Sequence, residues 1–588
     1  MKNFKNTKEV SALRFTHFTN KAYAIYNSLG KHIQIAVLLF VYTLLAMPYE
    51  VEAQNDTIIT DRKIELNEVL VSAQRTPVTY SQAARVVTVI TKEQIQGASV
   101  QSIDDLLRFA PNVDLRQRGK FGVQADVSIR GGNFDEVLIL LNGINITDPQ
   151  SGHHNLNLPV DIESVERIEI IEGPASRVLG PNAFSGAINF ITAEGKDSYA
   201  NAHVMVAEHN TQKESGSVKI STEKYTHFLT IGHQQSDGYI HNTDFNRTNL
   251  FYHGKAQLKE NSLEFQLGYT SKDFGSNAFY SPKYADQYEE TRTVLSSVKF
   301  STTGKIHTST SAYWRHNNDH YLLIREKPAV YENFHATDVA GLSFNSSFTS
   351  PIGKTAIGID YRFETVLSNR LGTDLLNKVA IKGQTDKFYT KYDDRNLVSL
   401  FAEQNYTAGK FMASAGVMAN VQTGISGINW SPGIEAAYLI SDELRAVASV
   451  NTSMRMPTFT DLYYVGATNI GNIDLKPEYA TNFEGGFKYG LRSLSANITA
   501  FRRLGRDMID WTKVAVADKW QPQNLTTVNT SGVSLTTQWT PVKYDNVPWL
   551  STIALSYTYM QQDKPAQEII SKYSLDYLKH KFNGIVEL

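Results

Sequence analysis

The stretch SVERIEIIEGPASRVLGPNAFSGAINFIT, residues 164–192, contains two β-prone runs and two Gly-Pro breaks. The first run, VERIEII, alternates in part between apolar and polar residues, and the last, AINFIT, is almost wholly apolar. Gly-Pro pairs are turn signals, so the pattern predicts two short strands separated by turns. The stretch shows no obvious nucleophile, acid–base pair or metal cluster. It therefore gives no support to catalysis and indicates one element of a larger fold.

Composition narrows the class of protein. The chain has 588 residues and no cysteine, which excludes disulfides and thiolate metal sites. Its 57 Lys and Arg nearly balance its 59 Asp and Glu, so the charge gives no support to nucleic-acid binding. Its 30 Tyr and 28 Phe, against 6 Trp, accompany 37 glycines. Membrane β-barrels show this mixture, because only half of each strand is apolar and aromatic girdles mark both interfaces.

The N-terminus predicts export. Basic residues between Lys2 and Lys31 precede the apolar run IQIAVLLFVYTLLAM, residues 33–47, and the small residue Ala53 follows it. This order is typical of a secretory signal peptide, here residues 1–53 with cleavage after Ala53. A membrane-anchoring helix is the alternative, but the run is shorter than the ~20 apolar residues that a span requires. No later segment resembles a spanning helix, so the mature chain would enter a membrane only as strands.

From about residue 200 onward, apolar and polar residues alternate. The segments SLEFQLGYT (262–270), AIGIDYRF (356–363) and IALSYTYM (553–560) all show this period of two. Such strands separate an apolar environment from a polar one, and a soluble β-sandwich would satisfy the same rule. However, the connecting segments are short at 302–305 and long at 270–293, which is the asymmetry of outer-membrane barrels. We therefore predict a transmembrane antiparallel β-barrel over residues 201–588.

Residues 75–200 have a different texture and predict a small α/β domain. Ser102 is a candidate helix N-cap, Asp104 and Asp105 lie in the first helical turn, and Pro111 follows the helix. Strand-like pieces follow at DVSIRGG, DEVLILLNGINI and VERIEII. The chain thus joins a small mixed domain to a barrel.

The chain resembles the TonB-dependent outer-membrane receptors, which are barrels whose lumen holds an N-terminal plug. Five motifs carry the resemblance in the family's order: IDDLLRFAPNVDLR (103–116), SIRGGNFDEVLILLNGINITDP (128–149), the stretch 164–192, SMRMPTFTDLYY (453–464) and GNIDLKPEYATNFEGGFKY (471–489). The resemblance implies a plug over residues 75–200, with the stretch 164–192 in its sheet, inside a barrel of 22 strands. Because the chain ends at SLDYLKHKFNGIVEL without the usual terminal aromatic residue, we expect a C-terminal truncation that removes the last strands.

The resemblance also implies a function. A member of this family is a transporter in the outer membrane of a Gram-negative bacterium and is not an enzyme. Its implied partners are TonB with the inner-membrane energising complex, the outer-membrane lipids and a transported nutrient. A surface lipoprotein is a further candidate partner, whereas nucleic acid is not.

The tail before the plug, residues 54–74, contains a candidate energy-coupling peptide. Within IELNEVLVSAQRTP, residues 64–77, one segment resembles the TonB box. An outer membrane holds no ATP or ion gradient, so energy must arrive mechanically, and an extended peptide can add a strand to TonB's sheet. An edge strand of the plug or a disordered linker is the alternative. The candidate box consists of Glu68, Val69, Leu70, Val71, Ser72 and Ala73.

The resemblance further implies an ion pair between plug and barrel. Arg130 in SIRGG matches the plug arginine that the family pairs with barrel carboxylates, and Glu484 in NFEGGFKY matches one such partner. A buried ion pair would hold the plug, because breaking it leaves an uncompensated charge. Glu172 departs from the arginine that usually precedes Gly-Pro, and Arg177 is near enough to take over its contact.

The ligand is predicted from a resemblance to one branch of the family. The plug loop DPQSGHHNLNLP (148–159) and the loop KDFGSNAFYSPKYADQYEETRT (272–293) look most like the vitamin B12 receptor branch of Bacteroidetes-type bacteria. Uptake of a ferric siderophore is the alternative, and a non-transporting surface binding protein or adhesin is the alternative from another class. The candidate substrate contacts are His153, His154, Asn155, Phe279, Tyr280, Tyr284 and Tyr288.

No cofactor is predicted. His153 and His154 could be read as a metal pair, but adjacent histidines without a nearby carboxylate cluster have poor spacing for zinc. Asp286, Glu289 and Glu290 are weaker candidates for a structural calcium site, and a solvated acidic loop is the interpretation that we favour.

Overall fold

The computed structural model describes residues 70–71, 78–79 and 87–588, apart from 120, 467, 517, 542–544, 546, 548, 564–569 and 574–576. The predicted signal peptide lies outside the described residues, as do Glu68, Val69, Ser72 and Ala73 of the candidate TonB box. In the described part of the chain, no helix combines the length and apolar character that crossing a membrane requires.

The N-terminal plug is a mixed α/β domain. Its elements are β1 (Leu70–Val71), β2 (Val78–Thr79), β3 (Val87–Ile90), α1 (Lys92–Gly97), α2 (Ile103–Leu107), β4 (Val113–Gln117), β5 (Ala125–Ile129), β6 (Val137–Leu141), β7 (Ile144–Asn145), β8 (Val165–Glu172), α3 (Ser176–Leu179) and β9 (Gly186–Thr192). Five strands form one sheet in the order β3-β8-β9-β6-β7, in which β6 and β9 run parallel and the other pairs antiparallel. Two smaller sheets pair β1 with β2 and β4 with β5.

The stretch 164–192 supplies the centre of the five-stranded sheet. Its strands β8 and β9 pair with each other, and every residue of β9 is buried. Between them the sequence predicted only turns, whereas the structure contains the short helix α3. This helix ends at Gly180, whose φ of 90° is one that residues with a side chain rarely adopt. The two Gly-Pro breaks therefore flank a helix.

The predicted helix after Ser102 is confirmed as α2, with Ser102 at its N-cap. The Ser102 side chain does not accept a hydrogen bond from the helix backbone. It donates instead to Asp105 Oδ2 at 2.8 Å, and the first-turn carboxylates carry the favourable charge.

The rest of the chain forms one antiparallel sheet of 20 strands that follows chain order, except that β18 also pairs with β20, β27 pairs with β29 and the short β28 pairs with β25. The strands are β10 (Tyr199–Ala207), β11 (Thr211–Ser221), β12 (Tyr225–Ser236), β13 (Phe245–Leu258), β14 (Asn261–Gly275), β15 (Tyr288–Thr302), β16 (Ile306–Leu322), β17 (Glu332–Ser350), β18 (Gly353–Ser368), β19 (Thr373–Ala380), β20 (Phe388–Ala408), β21 (Phe411–Gln422), β22 (Asn429–Leu439), β23 (Leu444–Arg455), β24 (Glu478–Gly490), β25 (Leu494–Lys513), β26 (Gln521–Trp539), β27 (Thr552–Asp563), β28 (Ile570–Ser571) and β29 (His580–Glu587). A helix, α4 (Phe459–Tyr463), lies between β23 and β24. At the two ends of this sheet, β10 pairs with β11 and β29 pairs with β27, and neither has a second partner among the described strands.

The predicted alternation and loop asymmetry are confirmed. On β14, Phe265 and Leu267 are 40% and 44% exposed, whereas Gln266 and Thr270 between and beyond them are 2% and 0% exposed. The connections at 259–260, 351–352 and 409–410 are short, and those at 276–287 and 456–477 on the other side are long. The apolar residues of β14 therefore face outward, and its polar residues face the plug.

One side of the barrel wall joins the plug core. Phe228, Phe251 and Leu295, from β12, β13 and β15, belong to the same apolar cluster as plug residues such as Leu107 and Ile139. A second apolar cluster joins plug residue Val123 to Phe245, Phe274 and Phe279. The plug is thus packed by apolar contacts against β12 to β15.

Candidate functional site

The apical loop of the plug, residues 148–158, turns sharply at Gly152. A single 3₁₀ turn over Gly152–His154 begins at Ser151, whose hydroxyl accepts a hydrogen bond from the His153 N–H at 3.3 Å. The Gly152 N–H donates to Asp135 Oδ1 at 2.6 Å, and a Cβ at this position would lie 2.4 Å from the same oxygen. Only glycine fits this close approach, so the motif SGHH fixes where both imidazoles lie.

His153 joins the plug sheet to an aromatic surface. Its Nδ1 lies 2.6 Å from Asp126 Oδ1, and its ring stacks on Phe134 at 4.3 Å. Burial lowers the pKa of His153, although Asp126 opposes the shift. Burial would raise the pKa of Asp126, but His153 and Arg118 outweigh it and hold that pKa well below its usual range.

Rings from plug and barrel continue this surface as a band, which we call the aromatic band. His153 meets Tyr280 at 5.4 Å, Tyr280 meets Tyr321 at 5.5 Å, and Phe134 meets Tyr573 at 5.3 Å. The sequence singled out His153 and Tyr280 but missed the other rings, because they lie on separate elements that only the fold brings together. The band consists of Phe134, His153, Tyr280, Tyr321, Tyr331 and Tyr573.

His154 points away from His153 and meets two barrel carboxylates. Its Nε2 lies 3.0 Å from Glu289 Oε1, and Tyr280 donates its hydroxyl proton to Glu289 Oε2 at 2.5 Å. One ligand atom each from His154, Glu289 and Asp319 lies within 4.8 Å of the others. Burial would lower the pKa of His154, but Asp319 and Glu289 outweigh it and raise that pKa to about 9. The expectation that no carboxylate cluster lies near the histidine pair is wrong, because β15 and β16 supply one.

The three acidic residues considered for calcium have three different partners. Asp286 Oδ1 lies 2.5 Å from His241 Nε2, and Glu290 Oε2 lies 3.3 Å from His320 Nδ1. Glu289 faces His154 instead. Neighbouring residues on a strand point to opposite faces, so Glu289 and Glu290 are separated by the alternation itself.

The remaining predicted substrate contacts differ in their accessibility. Asn155 is buried and accepts a hydrogen bond from the Asp148 N–H at 2.9 Å, so it holds the apical loop together. Phe279 is buried in the apolar cluster with Val123. Tyr284 and Tyr288 are half-buried in and beside the loop, and the Arg325 guanidinium lies 4.1 Å from the centre of the Tyr288 ring. These two tyrosines, together with Tyr280 and His153, are the predicted contacts with surface left for a ligand.

Arg130 lies between plug and barrel. Its Nη1 is 2.5 Å from Glu484 Oε2, and its Nη2 is 3.2 Å from Glu172 Oε2. Its guanidinium also lies 4.5 Å from the centre of the Phe501 ring. Burial raises the pKa of Glu172 even though Arg130 opposes the shift. Glu172, the residue that departs from the family pattern, is therefore a second carboxylate partner of Arg130.

Arg177 makes the other arginine contact with the wall. Its Nη2 lies 2.9 Å from Glu435 Oε1, and its Nη1 lies 3.6 Å from Glu403 Oε2. It projects from α3, the helix that the sequence did not predict. The two plug arginines thus contact different barrel strands.

A third buried network was missed by the sequence interpretation, although its residues lie in the quoted motifs. Arg455 bonds both oxygens of Glu478 at 2.6 and 3.0 Å, and its Nη1 lies 3.5 Å from Asp461 and 3.7 Å from plug residue Asp135. The N-terminus of α4 also bonds the apical loop, because the Phe459 N–H donates a hydrogen bond to the Pro149 carbonyl at 3.0 Å. The motifs SMRMPTFTDLYY and LKPEYA therefore serve to fasten the plug.

We expect Asp135→Asn to flatten the pH dependence of plug stability. Burial raises the pKa of Asp135 from 3.8 to about 8, a shift that Arg455 opposes and Asp461 reinforces. Between these values the folded state keeps a proton that the unfolded state has released, so the free energy of unfolding falls as the pH rises from about 4 to 8. The slope is at most about 1.4 kcal/mol per pH unit. Thermal unfolding across this window should show a steeper loss for the wild type, and equal slopes would contradict the prediction.

The other side of the wall is separated from the plug by a polar cavity of about 550 Å³. Plug residues 142–145 and 179–182 face it, and hydroxyl and amide side chains such as Ser311, Ser343 and Asn345 line the wall. At one end, Glu364 accepts hydrogen bonds from Arg362 and Arg395. Arg362 in turn donates to the plug carbonyl of Thr147 at 2.7 Å. On this side the plug therefore meets the wall across a cavity lined by polar side chains and through the hydrogen bonds at its end.

The large antiparallel β-sheet has an apolar outer face and a polar inner face, and an α/β domain packs against the inner face. This architecture is that of an outer-membrane receptor. The chain belongs to the TonB-dependent receptor family. The family model for the TonB dependent receptor-like β-barrel matches residues 209–586, and the TonB-dependent receptor plug domain matches residues 80–187. The protein is thus an outer-membrane transporter of a Gram-negative bacterium that works with TonB, and it is not an enzyme.

Similar proteins include two curated transporters and two solved structures. The vitamin B12 transporter BtuB of Vibrio vulnificus strain YJ016 is 23% identical over 81% of this chain and 76% of its own length. The vitamin B12 transporter BtuB of Photobacterium profundum is 23% identical over 85% of this chain and 80% of its own length. The siderophore receptor PirA of Pseudomonas aeruginosa superposes with a TM-score of 0.64 at 18% identity, covering 81% of this chain and 85% of its own. A mutant of the ferric enterobactin receptor PfeA from the same species superposes with a TM-score of 0.65 at 18% identity, covering 84% of this chain and 82% of its own. At these identities the two solved structures support the fold alone.

Proposed function

We propose that the protein imports a corrinoid, cobalamin or a close relative, across the outer membrane. The observation that carries the proposal is the similarity to vitamin B12 transporters, which extends over plug and barrel together and covers 81% of the chain for the Vibrio vulnificus protein. The siderophore receptors resemble the protein in fold, and a shared fold does not fix the ligand.

The upper face of the plug supports this ligand class. The aromatic band offers flat apolar surface, which suits the faces of a corrin ring, and its tyrosines can bond the amides at the ring's edge. Arg118 lies 2.8 Å from Asp126, and Arg315 lies 2.6 Å from Asp148, so both guanidiniums are already neutralised. Arg370 and Lys572, however, lie over the Tyr331 and Tyr573 rings of the band at 4.8 and 4.9 Å, so the charge of this surface suits a neutral corrinoid and an anionic iron chelate alike.

The coupling step uses the tail. Leu70 and Val71, the described residues of the candidate TonB box, pair with Thr79 and Val78. The segment is therefore already in an extended conformation, and it can exchange this main-chain pairing for one with TonB's sheet. Deletion of Glu68 to Ala73 tests this role separately from ligand binding.

Equilibrium binding of cyanocobalamin to the purified protein in detergent tests the ligand, with ferric enterobactin as the competitor class. We expect Tyr280→Ala to weaken corrinoid binding about tenfold, because it removes a stacking ring and a hydroxyl from the band. Tyr438→Ala is the matched control, since Tyr438 is 51% exposed on the outer face of β22. Binding of ferric enterobactin alone would overturn the corrinoid assignment and leave transport intact.

A further inference from the structure

We propose that His154, Glu289 and Asp319 form a binding site for a divalent transition-metal ion, where the apical loop of the plug meets the barrel wall. The site adjoins the aromatic band, whose Tyr280 hydroxyl donates to Glu289, and it does not depend on the corrinoid proposal. It joins one plug residue to carboxylates from the adjacent strands β15 and β16.

The geometry brings three metal-binding groups together in a buried place. His154, Glu289 and Asp319 are 4%, 2% and 6% exposed. Their ligand atoms lie within 4.8 Å of one another, a spacing that an ion between them would close to normal bonding distances. Thr291 of β15 lies opposite Asp319 of β16, and Glu289 is two residues from Thr291 on the same strand. Residues two apart share a face, so Glu289 and Asp319 both lie on the inner face of the wall.

Two buried oxygens at this place lack hydrogen-bond partners among the described residues. Asp319 accepts a hydrogen bond from Gln150 through Oδ2 at 2.8 Å, but its Oδ1 has no partner. The Oε1 of Gln150 is also buried without a partner. Buried acceptors are almost always satisfied, so these two oxygens can accept an ion or a water bound at this place.

The charges favour a divalent cation. Glu289 and Asp319 bring two carboxylates, and His154 one imidazole, into the same buried place. The nearby Asp148 is already paired with Arg315 at 2.6 Å, and the Lys272 ammonium is held by the Val123 carbonyl at 3.2 Å and by Asn157 Oδ1 at 3.0 Å. A divalent ion bound to a neutral imidazole and two carboxylates gives a neutral site.

The donor set selects the class of metal. Calcium and magnesium prefer oxygen ligands alone, whereas imidazole nitrogen with carboxylates suits zinc, manganese or iron. The Tyr280 hydroxyl bonds the other oxygen of Glu289 and orients it, as outer-shell donors do for metal-bound carboxylates. A bound ion would tie the apical loop, residues 148–158, to β15 and β16 beside Tyr280 of the aromatic band.

Titration of the full-length protein in detergent, after removal of metal with EDTA, tests the site with Zn²⁺ as the probe. We expect one tightly bound ion per chain, and we expect His154→Gln and Asp319→Asn each to weaken binding about 100-fold. His241→Gln is the matched control, because His241 forms an exposed imidazole–carboxylate pair with Asp286. Zinc binding that is absent in the wild type, or equal in the wild type and both site variants, would overturn the proposal.

X-ray absorption of the wild type loaded with one equivalent of Zn²⁺ keeps the test independent of how the variants fold. One imidazole nitrogen with oxygen ligands at about 2.0–2.2 Å is the expected shell. A shell of two or more imidazoles would place the zinc elsewhere and overturn the assignment.

Discussion

Replacing Arg130 by Met should loosen the plug more than any other single change to the interface described above. The substitution leaves two buried carboxylates, Glu172 and Glu484, without the cation that they share. Their side chains are 0% and 7% exposed. Removing one partner from a buried ion pair costs about 3–5 kcal/mol. The barrel ladder does not depend on this contact, so we expect a folded barrel with a poorly held plug.

The effect is measured as ion conductance of the protein in planar bilayers and as sensitivity of cells to large antibiotics, both of which should rise. Arg116→Met is the matched control, because Arg116 pairs with Asp114 within the plug at 3.3 Å and its side chain is 33% exposed, so we expect a change of about 0–1 kcal/mol. Adding Glu172→Gln and Glu484→Gln to Arg130→Met should recover part of the loss, because the uncompensated charges disappear. Conductance that stays at the wild-type level in Arg130→Met would show that other contacts hold the plug.

Replacing Val69 by Pro should abolish uptake while ligand binding is unchanged. Strand addition to TonB relies on main-chain hydrogen bonds, and proline removes a backbone N–H and fixes φ. Val69→Ala keeps the backbone donor and should retain most of the transport. Uptake of labelled ligand by intact cells and binding to the purified variants separate the two steps.

Two outcomes of this experiment would contradict the prediction. Normal uptake by Val69→Pro would place the coupling peptide outside residues 68–73. Ligand binding without any uptake in the wild type would instead favour the surface binding protein or adhesin that the sequence left open.

Features set by local sequence could be predicted. The alternation in SLEFQLGYT fixed which residues of β14 face outward, since a strand exposes every second side chain. Ser102 and Pro111 bounded α2, and the two apolar runs of residues 164–192 became β8 and β9. These patterns depend only on neighbours along the chain.

Features set by distant contacts could not. Glu289 lies 135 residues from His154, and its approach depends on the register of β15 and on how the plug sits in the wall. The role of Glu172 was missed for the same reason, because its partners Arg130 and Asn112 come from other elements. A residue that departs from a family pattern can still serve the site through a contact that the pattern does not include.

Different interactions hold the plug against β12 to β15 and across the cavity, and this difference determines how the plug would respond to a mechanical load. Against β12 to β15 it is held by apolar side chains such as Phe228 and Phe251, and separating them exposes hydrocarbon to water. Across the cavity of about 550 Å³, its hydrogen bonds can be exchanged for water one at a time at little net cost. A pull transmitted through the N-terminal tail should therefore separate the plug from the wall first along the cavity, while the apolar contacts with β12 to β15 and the buried ion pairs of Arg130 and Arg177 hold longer.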